Sequence, residues 1–203
     1  MKLSLLMECR KINQLHVDWT RMWHLDPGLA ENIEPWCTIE ANHHFNFQLW
    51  HEEDVARRDD IPPERVCQAK RNIDRYNQQR NNAMEGIDDW VLLSLKDAGI
   101  PPSQGALHSE TPGMMIDRLS IMALKEYHMD EQVQRIDVSA EHQRSCAERV
   151  RVLKEQQADL TEALRALLED LGSGRRCFKV YRQFKMYNDP TLNPQLYAPK
   201  CNP

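Results

Sequence analysis

Apolar residues recur every three or four positions along five stretches of this 203-residue chain, with polar breaks between them. That period places them on one face of an α-helix. In residues 2–24, Leu5, Leu6, Cys9, Ile12, Leu15, Val17 and Trp19 make a loose stripe, which Asp26-Pro27-Gly28 ends by turn chemistry. A second helix is predicted from Glu34-Pro35 to about Arg58, since proline is tolerated in a first turn. Trp36, Ile39, His43, Phe47, Trp50, Asp54 and Arg57 share one of its faces. A third, long helix is predicted from Pro63 to about Ala98, on the stripe Ala69, Ile73, Tyr76, Met84, Ile87, Val91 and Leu95. Gly99-Ile100-Pro101-Pro102 stops it. Thr111 then offers a cap and Pro112 a first helical position for a fourth helix. The fifth runs from about Val138 to Leu171 on Cys146, Val150, Leu153, Leu160, Leu164, Leu167 and Leu168, and Gly172-Ser173-Gly174 ends it. The first ten residues of the tail that follows are open to a short strand or a helix.

Five helices joined by short breaks predict a single all-α bundle over residues 1–172. Residues 173–203 form an irregular basic C-terminal arm packed on it.

Three segments put charge where a bundle wants a core. The fourth helix, within SETPGMMIDRLSIMALKEYHMD (109–130), sets Asp117, Arg118, Lys125 and His128 into an apolar run. NFQLWHEEDVAR (46–57) ends in acid and base, and Arg80 interrupts the stripe of the third helix. Beside that stripe lie Lys70, Asp74, Asn77, Asn81, Glu85 and Asp88. Buried charge is costly unless paired, so these interruptions point to a polar site or a structural network within the bundle.

Bulk properties narrow the class. Mean hydropathy is −0.69, and no apolar run approaches the roughly 20 residues of a spanning helix, so membrane insertion is not expected. MKLSLLMECRK is too short in apolar residues for a signal peptide, which makes the expected location cytoplasmic. Six single cysteines without a CxxC pair read as reduced thiols. Six basic residues against Asp189 alone give residues 173–203 a net +5, leaving −10 on the rest of a chain of net −5. Nucleic-acid binding by the main body is therefore not expected, whereas a basic arm suits an anionic small-molecule ligand.

The candidate chemistry follows from residue type and spacing. Glu53 and Arg57 are four apart and can pair. Glu53, Glu85 and Asp88 are carboxylates that could hold Mg²⁺ or Mn²⁺ through oxygen. Glu52-Glu53 followed by Glu85-x-x-Asp88 looks like two pieces of an all-α nucleotide pyrophosphatase site, although the third acid of that pattern falls at Ala56. A histidine ordinarily titrates near 6.5, so His128 suits a metal ligand or general base. Glu53, Asp88, Asp117 and His128 are the catalytic candidates. Arg57, Asn77, Arg80, Arg118, Lys125, Arg182, Lys185 and Tyr187 are the substrate-binding candidates. His16 and His24 read as exposed or half-buried helix histidines.

LWHEEDVARR (49–58), KRNIDRYNQQRNN (70–82), SETPGMMIDRLSIMALKEYHM (109–129) and FKVYRQFKMYNDPTLNP (178–194) together resemble the bacterial DUF4254 family, a domain of unknown function. IDRLSIMALK (116–125) is also similar to a helix in uncharacterised proteins of glycan-synthesis gene clusters. The resemblance implies a helical protein whose genes lie near glycosyltransferases for lipopolysaccharide or other surface glycans. It supplies no catalytic residue. The resulting expectation is a pocket formed by the 46–57, 70–88 and 117–128 helices, covered by the arm and taking a phosphorylated sugar or nucleotide-sugar. The alternative is a non-enzymatic glycosyltransferase adaptor using the 138–171 helix as its contact face, and a homodimer through that helix fits either reading.

Overall fold

The computed structural model describes residues 8–26, 28–101, 105–183, 186 and 189–197. Five long helices dominate it: α1 (Cys9–Trp23), α2 (Trp36–Ala56), α3 (Pro63–Asp97), α4 (Pro112–Gln134) and α5 (Ala140–Gly172). Strand β1 (Ala106–Leu107) precedes α4, β2 (Arg176–Cys177) follows α5, and a single turn, α6 (Pro194–Tyr197), lies in the arm. The chain is all-α. Among the described residues no helix is long and apolar enough to cross a membrane.

Local signals set the helix ends. The Thr111 side chain accepts from the Met114 N–H and Pro112 follows in the first turn, so α4 begins where the sequence places it. Ser139 caps α5 in the same way, accepting from the His142 N–H.

α2 packs on α3, α4 packs on α5, and α1 lies across α4 and α5. α4 also touches α2 and α3, which makes it the element around which the bundle closes. Ile116, Leu119 and Leu124 of α4 meet Ile39 of α2, Ile87 and Val91 of α3, Ile12 and Trp19 of α1, and Leu164 and Leu168 of α5 in one core. The stripe of α1 differs from its sequence reading. His16 and Thr20 are fully buried alongside Ile12, Trp19 and Trp23, whereas Val17 is half-buried and Leu5 and Leu6 lie outside the described residues.

The tail resolves to a strand at its start. β2 pairs in parallel with β1, joining Ala106 to Arg176 and Leu107 to Cys177. Gly105 adopts a positive φ of 90° there, and a Cβ on it would fall 2.4 Å from the Arg175 backbone, so only glycine fits.

Candidate functional site

α2 carries Asn42, His43 and Asn46 on one helical face, and all three are buried. They meet Asp117 and Ser120, one turn apart on α4, and Arg80 on α3. Arg80 grips Asp117 with two nitrogens, Nε to Oδ1 at 2.7 Å and Nη2 to Oδ2 at 2.5 Å. Asn42 and Asn46 add donors to Oδ1 at 3.0 and 2.9 Å. Asp117 is thus a buried carboxylate with its charge paired and its lone pairs filled, which makes its burial tolerable.

From Asn46 the hydrogen bonds run in one direction. Asn46 donates to Ser120 Oγ at 2.9 Å, and Ser120 lies 2.7 Å from His43 Nδ1. His43 Nε2 lies 2.9 Å from Thr20 Oγ1, whose own proton goes to the His16 carbonyl at 2.7 Å. Thr20 has spent its proton, so Nε2 must donate to it, and Nδ1 then accepts from Ser120. His43 is thereby fixed as one neutral tautomer, and burial, followed by the neighbouring His16, pushes its pKa well below the ordinary value. The His16 ring stacks on His43 at 4.5 Å with no hydrogen-bond partner on either nitrogen among the described residues, and burial lowers its pKa to about 3.

Above this network a cleft of about 350 Å³ opens between α2, α3 and α4. Glu53, Arg57, Asn77 and Arg80 line it with Asn46, Trp50 and Asp54. Glu53 accepts from Arg57 Nη1 at 2.6 Å. Trp50 and Asp54 are shared with a second cavity of about 800 Å³, which reaches α5 and includes Lys125, His128 and Arg149.

Three histidines meet beside that second cavity. His24 caps the end of α1, His51 lies on α2 and His128 on α4, and their ligand atoms all fall within 4.8 Å of one another. Each is half-buried. Trp50 stacks on His128 at 4.7 Å and Tyr127 on His24 at 4.4 Å. Burial, and then the two neighbouring rings, lower the pKa of His51.

A family model described as protein of unknown function (DUF4254) matches residues 36–180, from the start of α2 to just past β2. The chain belongs to the DUF4254 family. No curated protein and no solved structure matches it. The matched span of this DUF4254 protein contains Arg80, Asp117, His51 and His128, and it leaves out α1 with His16, Thr20 and His24.

The remaining candidates fall elsewhere in the DUF4254 fold. Among the described residues, Glu53, Glu85 and Asp88 do not form one of the groups of three or more ligand side chains that meet, and each has its own surroundings. Asp88 is buried and accepts from the Gly113 N–H at 2.7 Å, so it serves the start of α4. Burial raises its pKa to about 6 even though Thr111 and Gly113 bond to it. Glu85 bonds Arg182 at 2.9 Å, and Asp89 takes the other end of that guanidinium. Glu52 is held by Arg65 and Asn72. Arg118 reaches outward to Glu110. None of the arm's described residues lines either cavity. Among its described residues Arg182 pairs with Glu85 and Asp89 of α3, and Arg175 and Arg176 with Asp170 of α5, away from the expected cover over the pocket. Lys185 and Tyr187 lie outside the described residues.

Sequence reasoning did not bring out the meeting of His24 and His51 with His128, or the inward members of the network on α1 and α2. Asn42, His43 and Asn46 carry a signal, polar residues at i, i+1 and i+4 amid aromatics. His24 carries none, because its neighbours come from 27 and 104 residues further along the chain, at His51 and His128.

Proposed function

We propose that this protein binds a phosphorylated sugar or nucleotide-sugar in the cleft between α2, α3 and α4. The observation that carries the reading is the gathering of Glu53, Arg57, Asn77 and Arg80 around Trp50. A cleft with an aromatic wall and a few convergent polar groups is the usual form of a small-molecule site. Its mixed signs select the ligand class. Glu53, Asp54 and the two amides accept from sugar hydroxyls, while the guanidiniums donate to phosphate oxygens. Asp117 takes Nε and Nη2 of Arg80, so Nη1 is the group left for a ligand, and the side chain keeps 24% of its surface exposed. Arg57 is 69% exposed and reaches Glu53 through one nitrogen. The family resemblance adds a setting, surface-glycan assembly, in which such a ligand would be met.

The adaptor reading has less to support it, because Cys146, Val150, Leu160, Leu164, Leu167 and Leu168 of α5 are buried within the chain, while Leu153 of the same seam is half-buried beside the larger cavity.

Thermal melting against nucleotides, nucleotide-sugars and sugar phosphates tests the proposal. A ligand at 100 times its Kd stabilises by about 2.7 kcal/mol. The Tm gain is expected from phosphorylated sugars, and from neither the free sugar nor inorganic phosphate at the same concentration. It should be lost in Arg57→Gln and in Asn77→Ala, with the Tm of each unliganded variant read alongside as the check on folding. No Tm gain across the panel, or a gain that survives both substitutions, rejects the cleft as the site.

A further inference from the structure

We propose that His24, His51 and His128 form a transition-metal site of the zinc class, with one coordination position open to the larger cavity. The inference is independent of what the cleft binds.

Convergence is the first observation. Three helices distant in sequence each deliver one imidazole to the same point, with ligand atoms within 4.8 Å. In a tetrahedral zinc site with bonds of about 2.0–2.1 Å the nitrogens stand roughly 3.4 Å apart.

The state of the rings is the second observation. His24 Nδ1 lies 2.7 Å from the Thr20 carbonyl, and only a protonated nitrogen can bond there. His128 Nδ1 lies 2.7 Å from Glu131 Oε2, and it likewise donates. Both rings therefore keep their lone pair on Nε2. Those two Nε2 atoms are buried and have no hydrogen-bond partner among the described residues. A buried acceptor left unmade is costly, and a cation at the meeting point supplies the missing partner. A carbonyl and a carboxylate behind ligating histidines are the supports that fix tautomer and orientation in metal centres.

The donor set selects the metal. Three imidazoles suit Zn²⁺, Co²⁺, Ni²⁺ or Cu²⁺ and offer little to Mg²⁺ or Ca²⁺, which take oxygen. Three protein ligands with the fourth place vacant is the catalytic rather than the structural pattern. The fourth place here faces the cavity lined by His128, Glu131, Lys125 and Trp50, where water or an oxygen of a ligand completes the shell. The rings of Tyr127, Trp50 and Phe47 pack on the three histidines and shield the site.

The full-length chain, stripped with chelator, tests this by titration with Co²⁺ and Zn²⁺ alone. One Co²⁺ per chain is expected, giving visible d–d bands that Zn²⁺ abolishes and excess Mg²⁺ leaves unchanged. X-ray absorption of the zinc form should show nitrogen and oxygen neighbours near 2.0–2.1 Å, without a sulfur shell near 2.3 Å. His51→Gln and His128→Gln should each weaken binding at least 100-fold. Glu131→Gln should weaken it about 10- to 100-fold, the usual effect of losing an outer-shell partner. His142→Gln on α5 should change nothing. Should the histidine variants fail to fold, Glu131→Gln on the exposed end of α4 still decides. Absence of stoichiometric Co²⁺ bands, a sulfur shell, or affinity unaltered in His51→Gln and Glu131→Gln would make the cluster a structural stack of rings and overturn the proposal.

Discussion

Arg80 and Asp117 show how one residue pair sets both the stability and the specificity of the interior. The Asp117 side chain is 4% exposed and sits under four donors from Arg80, Asn42 and Asn46. Removing one member strands the other charge, and breaking a buried pair costs about 3–5 kcal/mol. Arg80→Met should fall near about 3 kcal/mol, the low end, because its partly exposed side chain admits water. Asp117→Leu strips the guanidinium of its carboxylate and takes one acceptor from each of two amides, and should cost more. The double variant should be more stable than the sum of the two losses predicts, because no charge is then left alone. Urea unfolding of the four proteins measures each term. Additive losses would show that the two side chains act separately.

Among the elements, α4 depends on one close approach. A Cβ on Gly113 would lie 2.3 Å from the Met84 carbonyl of α3 and 2.9 Å from Asp88 Oδ1. Backbone cannot yield as a side-chain tip can, so Gly113→Ala must push α4 off α3 and break the bond from Gly113 to Asp88. The expected cost is about 2–3 kcal/mol in urea unfolding, within the range for overpacked sites. Gly28→Ala, with nothing within 4 Å, is the matched control and should be near neutral. The start of α4 was legible in the sequence because a cap and a first-turn proline are local signals. The helical bundle was legible for the same reason, since a period of 3.6 is written in neighbouring residues. α2 was legible as a helix and obscure in its facing. It is wedged between α3 and α4, so it buries polar and apolar residues on several sides and shows no clean stripe. Arg80 stood out as an interruption, yet its partner lies 37 residues away. Nothing local to the chain distinguishes that pairing from one with Glu53. The acids of α3 misled for the converse reason. Their spacing of three and four aligned them on paper, while the fold turned Asp88 inward to α4 and gave Glu85 to the arm.

At the scale of the whole molecule, the buried histidines govern how stability responds to acid. His16 and His43 are held neutral in the fold, His16 with a pKa of about 3, whereas an unfolded histidine titrates near 6.5. Below pH 6.5 the unfolded chain binds protons that the native one refuses, so stability falls from there toward pH 3. Asp88 acts in the opposite sense, because its native pKa of about 6 lies above the ordinary 3.8. It adds stability as the pH falls through 6, and that gain is complete below 3.8. Two histidines against one carboxyl leave a net loss, to which His16 alone contributes about 2 kcal/mol between pH 6.5 and about pH 5. Urea midpoints across that range should fall less steeply in His16→Leu and more steeply in Asp88→Asn. The parallel pairing of β1 with β2 bears on the same molecule in a different way. It joins Ala106 to Arg176, and so fastens the entrance of α4 to the exit of α5. Closing so long a loop gains little until both helices are in place. The stretch between the strands is therefore a ring of chain, and hydrogen exchange is expected to show it opening as one unit. His128 rides inside that ring, and His24 and His51 outside it. Any cation shared by the three would rivet this unit to the rest of the protein.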